Sequence, residues 1–240
     1  MGFDCANFLV CGNLPDPLLC RLQSQKSEEN MLSVYFQVFA LLAPMGCGGS
    51  TIDYAGHNTH EYFALDGQRS WKYRQEDSSI DWRLEVSKIE TVMVENFEIV
   101  TLEYSQLDPV LLLHEIQWSS DSSNGIVIHG YKVEGGDSVE FSPPIVVATR
   151  QMMMGDIVET TTENGVYAST LIGVESCAND WVTDDWTCLR FSISDGVDNE
   201  TSPPFVGEWW LAADWGASRF RPAEYAEPWV LSEALWSAGE

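Results

Sequence analysis

Basic residues are scarce in this 240-residue chain: 12 lysines and arginines stand against 37 aspartates and glutamates, giving a formal net charge of −25. Proteins bind nucleic-acid phosphates and anionic membrane surfaces through clustered Lys and Arg side chains, and the sequence contains no basic run. We therefore expect no nucleic-acid partner. The acidity is explained first by solubility or a salty habitat, and only second by cation binding.

Catalytic motifs are missing as well: there is no G-x-S-x-G elbow, P-loop, G-x-G-x-x-G, H-E-x-x-H or C-x-x-C. The stretch HNTH places His57 and His60 three apart, near Asp53 and Glu61, and zinc uses such ligands. Two histidines in a polar stretch are ordinary, so we assign no metal, cofactor or catalytic residue. We predict that the protein is not an enzyme. A hydrolase with unrecognised carboxylates is the least favoured alternative.

The N-terminal region differs in composition from the rest. Residues 1–30 form a doubtful extension, and we expect translation to start at Met31. Residues 31–46 are signal-peptide-like, because the run of about 13 mostly apolar residues that ends at Ala43 is shorter than the ~20 residues of a membrane-spanning helix. It has the length of a secretory h-region. A buried apolar helix or an uncleaved anchor is the competing interpretation.

The residues that follow resemble the lipobox of bacterial lipoproteins. Gly46 and Cys47 match its last small residue and its cysteine, whereas Pro44 and Met45 depart from the usual leucine and small residue. In that family the cysteine becomes the first mature residue and carries a lipid. The resemblance implies a cell-envelope protein anchored to a membrane through Cys47, on a periplasmic or surface face. Residues 47–60, beginning CGGST, are predicted to be a flexible tether.

Residues 61–240 are predicted to form one antiparallel β domain. Apolar and polar residues alternate over 81–105, and residues 125–142 read as two strands separated by Gly135-Gly136. Turn signals recur about every 8–12 residues. These patterns favour an all-β fold built as a single strongly curved sheet, a half-barrel or a sandwich. The segment PWVLSEALWSAG, residues 228–239, is the best candidate for a short C-terminal helix.

Three segments of this domain also resemble a group of mostly uncharacterised bacterial envelope lipoproteins. They are EYFALDGQRSWKYR (61–74), GVESCANDWVTDDWTCLRFSISD (173–195) and GEWWLAADWGASRFR (207–221). The first resembles the opening "YFPL…G…W.Y" pattern of that group, through Tyr62, Phe63, Leu65, Gly67, Trp71 and Tyr73. The resemblance implies a cellular address and a curved antiparallel sheet, but no activity.

Three cysteines remain from residue 47 onward. If Cys47 carries a lipid, Cys177 and Cys188 form an even pair, separated by a ten-residue segment that reads as a loop between strands. Export would place them where disulfides persist, so we predict a Cys177–Cys188 bridge. Two buried thiols are the alternative.

Tryptophan is abundant, with ten residues, and MMM occurs at 152–154. Core packing is the plainer explanation. Exposed tryptophans would instead mark a surface for sugars or a partner, and methionines can line an adaptable apolar cavity. The candidate ligand-binding residues are therefore Trp209, Trp210, Trp215, Met152 and Met154. We predict a non-enzymatic envelope lipoprotein that binds an apolar ligand or an envelope protein, with a glycan-binding module as the alternative.

Overall fold

The computed structural model describes residues 56–76, 81–180, 186–196 and 202–237, and these residues are almost entirely β. A 3₁₀ turn covers Thr59–Tyr62. The strands are β1 His57–Asn58, β2 Gln68–Gln75, β3 Arg83–Val94, β4 Phe97–Leu107, β5 Val110–Asp121, β6 Gly125–Val133, β7 Ser138–Ala148, β8 Gln151–Met152, β9 Ile157–Thr162, β10 Gly165–Ser176, β11 Thr187–Asp195, β12 Gly207–Ala212, β13 Gly216–Pro222 and β14 Trp229–Ser237.

Twelve of these strands form one antiparallel sheet in the order β7-β6-β5-β4-β3-β2-β14-β13-β12-β11-β10-β9. The sheet curves until its two edge strands meet, and the backbone N–H of Val146 on β7 donates to Thr160 Oγ1 on β9 at 3.1 Å. The predicted all-β class and the strongly curved single sheet are confirmed. β1 and β8 make a separate two-stranded pairing, His57 opposite Met152.

The predicted hairpins are present. Residues 81–105 become β3 and β4, joined at Glu95 and Asn96, and the Gly135-Gly136 turn joins β6 to β7. Alternation in the sequence therefore located these strands, because one face of each strand lies against the core and the other lies outside. No helix in the described part of the chain is long and apolar enough to cross a bilayer.

The predicted C-terminal helix is wrong. Trp229–Ser237 is strand β14, which lies between β13 and β2, with Leu231 opposite Tyr73 and Ala234 opposite Trp71. Its apolar residues at mixed spacing suit a helix when the segment is considered alone. In the fold, the segment fills the place between two strands and pairs with both, and this tertiary pairing overrides the local preference.

The interior of the curved sheet is filled by aromatic side chains. The Trp118 ring packs against Phe63 and Trp209, with ring centroids 4.8 and 5.5 Å apart, and Trp209 stacks on Phe220 at 5.1 Å. Trp209 Nε1 donates to the Phe205 carbonyl oxygen at 2.8 Å, so its polar atom is satisfied inside the core. Large rings that contact each other in this way leave the interior a packed core.

The described end of the predicted tether, Gly56–His60, lies against the sheet. Thr59 is fully buried; its backbone N–H donates to the Arg150 carbonyl at 3.1 Å and its Oγ1 donates to the Thr149 carbonyl at 2.6 Å. Ordered contact with the sheet thus begins a few residues before the predicted domain start at residue 61. Cys47 and the rest of residues 1–55 lie outside the described residues.

Candidate functional site

Two of the five candidate ligand-binding residues are parts of the core. Trp209 is 2% exposed and Met152 is 1% exposed. Trp209 packs between Trp118 and Phe220, and Met152 belongs to the same apolar cluster. The plainer explanation, core packing, therefore describes them, and neither side chain presents a surface to a ligand.

Trp210 points away from that core and is covered by arginines. The guanidinium carbons of Arg190 and Arg219 lie 4.7 and 5.6 Å from the Trp210 ring centroid. The indole Nε1 donates a hydrogen bond to the carboxylate of Glu175. With 6% of its surface exposed, Trp210 has no open ring face on which a sugar could stack.

Glu208 forms an ion network with two arginines: Arg190, which covers Trp210, and Arg221. Arg190 and Arg221 each donate to one Glu208 carboxylate oxygen at 2.7 Å. Partial burial raises the pKa of Glu208, but the hydrogen bonds and charges of the two arginines outweigh it and hold that pKa below its ordinary value. Both guanidinium groups are paired within the protein. The network therefore stabilises the outer face of the sheet and presents no free positive charge there.

The remaining candidates, Trp215 and Met154, lie outside the main aromatic core. Trp215 is half-buried and stacks on Trp186 with ring centroids 4.4 Å apart. Met154 is 70% exposed and follows Met153, which is 47% exposed. The five residues thus do not form one common site. Trp181 and the side chain of Trp236 lie outside the described residues.

The predicted disulfide is present in the structure. Cys177 and Cys188 are bonded, with Cα atoms 5.5 Å apart, and both residues are buried. Cys188 is on β11 and Cys177 follows β10, so the bridge joins neighbouring strands where their pairing ends. Trp186 and Trp215 pack over the cluster that contains it.

The sheet has an open cavity of about 370 Å³ at the end where the described chain begins. Its walls come from the 3₁₀ turn and the segment after it, the start of β4, the end of β5 and the turn between β12 and β13. Five carboxylates line it, together with the apolar side chains of Phe63, Leu65, Phe97 and Val100; the carboxylates belong to Glu61, Asp66, Glu98, Asp121 and Asp214.

The charge of this cavity is negative at neutral pH. Partial burial raises the pKa of Asp121, but hydrogen bonds from Asn124 and Ser123 outweigh it and lower that pKa below its usual value. Arg69 pairs with Asp66 at 2.7 Å. Within the described residues no cation lies within ion-pair distance of Glu98.

The histidines considered for zinc are separated in the structure. The His57 ring packs edge-on against Tyr62, with centroids 6.2 Å apart, whereas His60 lines the acidic cavity. The His60 Nδ1 atom is buried without a hydrogen-bond partner. In the described ranges no group of three His, Cys, Asp or Glu residues is arranged to hold a metal ion.

A second surface feature adjoins the cavity, and we call residues Ile89–Glu98 the arm. β2 pairs with β3 only from Arg83 to Ser87, while β4 continues to pair with β3 as far as Val94. All six residues of Ile89–Val94 are exposed. Within the described chain, one edge of this stretch therefore has no strand partner.

The apolar character of the arm is unusual for such an exposed strand. Ile89, Val92, Met93 and Val94 are 49%, 45%, 63% and 37% exposed. Met93 is opposite Glu98 and Thr91 is opposite Val100, two residues that line the cavity, so the free edge is one strand away from the cavity wall. Unpaired backbone groups beside apolar side chains are the features that recruit another strand.

Sequence reasoning missed both the arm and the cavity. One signal for the arm was available: Val92, Met93 and Val94 break the alternation with three successive apolar residues just before a turn. The cavity had no comparable signal, because its carboxylates come from distant parts of the chain and meet only after folding.

No protein-family model matches this sequence, and no curated protein matches it. A crystal structure of a putative lipoprotein from Parabacteroides distasonis is similar in part, with 10% sequence identity, covering 72% of this chain and 98% of that chain at a TM-score of 0.38. A similarity of this size carries no argument about function.

Proposed function

We propose that this protein is a non-enzymatic cell-envelope lipoprotein, anchored through Cys47, whose β domain acts by binding a partner on its outer surface. The disulfide carries the proposal. Disulfides persist in exported proteins and are rare in the reducing cytosol. Of the three cysteines from residue 47 onward, Cys177 and Cys188 bond to each other, so Cys47 is not needed for that bridge and is free for the lipid that the lipobox resemblance implies.

The packing of the interior supports partner binding over carriage of an apolar ligand. A carrier needs an internal apolar cavity, typically of about 300–1,000 Å³. Here Phe63 packs on Trp118, Trp118 on Trp209 and Trp209 on Phe220, so the inside of the sheet is filled. The cavity of about 370 Å³ has the required size, but it is open and five carboxylates line it. The apolar residues that reach solvent lie instead on the outside, and the arm presents four of them in one short stretch.

Metabolic labelling tests the anchor. The gene would be expressed in a bacterium supplied with labelled palmitate, beside Cys47→Ser and a matched control, Cys20→Ser, followed by fractionation of the cells. We expect label and membrane location in the parent and in Cys20→Ser, and loss of both in Cys47→Ser. Absence of label from an intact soluble parent, or label that depends on Cys20, would overturn the anchor at Cys47.

A further inference from the structure

The free edge of the arm is a place where another strand can add to the sheet. Ile89–Val94 spans six residues, about 20 Å of extended chain. A peptide that adds to a sheet edge gains affinity from main-chain hydrogen bonds and specificity from alternate side chains. The two edge strands of the sheet, β7 and β9, lie against each other, and the Val146 N–H on β7 donates to Thr160 Oγ1 on β9.

The charge around this edge selects the class of partner. The arm contains Glu90, Glu95 and Glu98 and no Lys or Arg. Lys88, at its base, donates to the carbonyl of Leu65, in the segment before β2, at 3.0 Å and is held by that bond. The cavity beside the arm adds its carboxylates to the same negative field, which favours a cationic occupant.

The same charges argue against two other occupants. A second copy of this chain would carry its own net charge of −25 and would bring a second Glu90 and Glu95 to the interface. Like charges placed across an interface cost free energy. An anionic bilayer surface would repel the arm for the same reason.

We propose that the arm is a docking edge for an extended segment of a protein partner in which apolar residues alternate with Lys or Arg. The segment adds beside Ile89–Val94. Its apolar side chains cover Val92 and Val94 on one face of the strand, and its cationic side chains lie on the opposite face, near Glu98 and the acidic cavity. This deepens the partner-binding part of the proposed function and is independent of the lipid at Cys47.

The probe is an acetylated, amidated nine-residue peptide of alternating lysine and valine, carrying a fluorophore. Its binding to the full-length chain would be followed by fluorescence anisotropy at 0.15 M salt. A peptide of the same sequence with N-methyl groups on alternate residues keeps the charge but cannot complete a strand ladder. We expect the parent peptide to bind at least about tenfold more tightly than the methylated one, since backbone hydrogen bonds hold the added strand.

Paired serine variants locate the site. Val92→Ser/Val94→Ser removes exposed apolar surface from one face of the arm, and the matched control Val110→Ser/Leu111→Ser does so at the β4–β5 turn, where Val110 and Leu111 are 78% and 39% exposed. We expect about tenfold weaker peptide binding for the arm variant and unchanged binding for the control. Because these side chains are exposed, both variants should stay folded, which circular dichroism and the urea midpoint would verify.

Three outcomes would overturn the proposal. Equal binding of the parent and methylated peptides would mean attraction by charge alone. Equal loss in both serine variants would place binding elsewhere. A dimer in sedimentation that Val92→Ser/Val94→Ser abolishes would assign the edge to a second copy of the chain. None of these results bears on palmitate labelling, so failure here is distinguishable from failure of the lipid anchor.

Discussion

The β11–β13 part of the sheet and the arm both contain runs of successive apolar residues, residues 209–212 in β12 and residues 92–94 in the arm, yet the first run is buried and the second is exposed. In β12, Trp209, Trp210 and Leu211 are all nearly inaccessible, because neighbouring strands flank β12 on both sides and each face is covered. In the arm, β3 loses its β2 partner after Ser87, and six successive residues are exposed. A run of apolar residues in a strand thus does not by itself define a core. The elements that pack against the strand decide whether those residues are buried.

The largest expected contrast is between Trp209→Ala and Met93→Ala. Trp209 is enclosed by Trp118 and Phe220 and bonds to the Phe205 carbonyl, so truncation should lower the free energy of unfolding by about 3–5 kcal/mol. Met93 is 63% exposed, and its truncation should cost under ~0.5 kcal/mol.

Urea unfolding followed by far-ultraviolet circular dichroism measures both variants. Trp209→Phe keeps most of the apolar volume and serves as the milder core change if the alanine variant does not fold. Similar losses in Trp209→Ala and Met93→Ala would contradict the assignment of the arm to the exterior.

How far the sequence predicts this fold depends on how local each feature is. The β3–β4 hairpin follows from alternation and its turn, and the Cys177–Cys188 bridge from counting cysteines once Cys47 is set aside. The prediction of a C-terminal helix fails because pairing with β2 and β13, rather than the spacing of apolar residues in the segment, decides its conformation. The core position of Trp209 follows from its strand; the arginine cover of Trp210 does not, because Arg190 and Arg219 come from other strands.

The acidic cavity and the lack of a strand partner beside Ile89–Val94 could not be predicted for the same reason, although the apolar run at residues 92–94 was visible in the sequence. Each depends on where an element ends relative to its neighbours, which is a tertiary property. Glu98 belongs to a regular strand pattern, and nothing in that pattern indicates that it faces Asp121 and Asp214 across a cavity. Likewise, no local feature of β2 indicates that β3 extends past it.

The second largest effect concerns pH and the buried His114 on β5. Burial lowers the pKa of His114 to about 4, and its ring stacks on Tyr104 at 4.5 Å. The unfolded chain binds this proton at an ordinary pKa of about 6.5, so acid favours unfolding. The free energy of unfolding should fall by about 3 kcal/mol as the pH drops from about 6.5 to 4.

Comparing the parent with His114→Phe isolates this contribution, because the carboxylates titrate alike in both proteins. We expect the difference in stability between the two to change by about 3 kcal/mol across that pH window. A constant difference between pH 7 and pH 4 would show that His114 is not neutral and buried. The arm contains no histidine, so Met93→Ala is the control whose stability should track the parent at every pH.

Removing the disulfide should have the next largest effect. The bridge closes a loop with a sequence separation of 11, for which the chain-entropy estimate is about 3 kcal/mol. The variant Cys177→Ala/Cys188→Ala should unfold at correspondingly lower urea concentration. Amide hydrogen exchange would locate the change: we expect faster exchange in β10 and β11 and unchanged exchange in the arm. Faster exchange in the arm as well would mean that the two regions are coupled.

The smallest effect is a gain in stability at the tip of the arm. Glu95 has φ 53°, in the left-handed region that side chains disfavour. Glu95→Gly should relieve this cost and raise the free energy of unfolding by roughly 0.5–1 kcal/mol, measured by urea unfolding. Asp214, in the β12–β13 turn, has φ 63°, but aspartate tolerates this region better, so Asp214→Gly should gain less. The Asp214 N–H donates to the Glu61 carbonyl, and the Asp214 carbonyl accepts from the Arg69 guanidinium, whereas the arm turn is exposed. An equal gain in stability at both turns would contradict this difference between them.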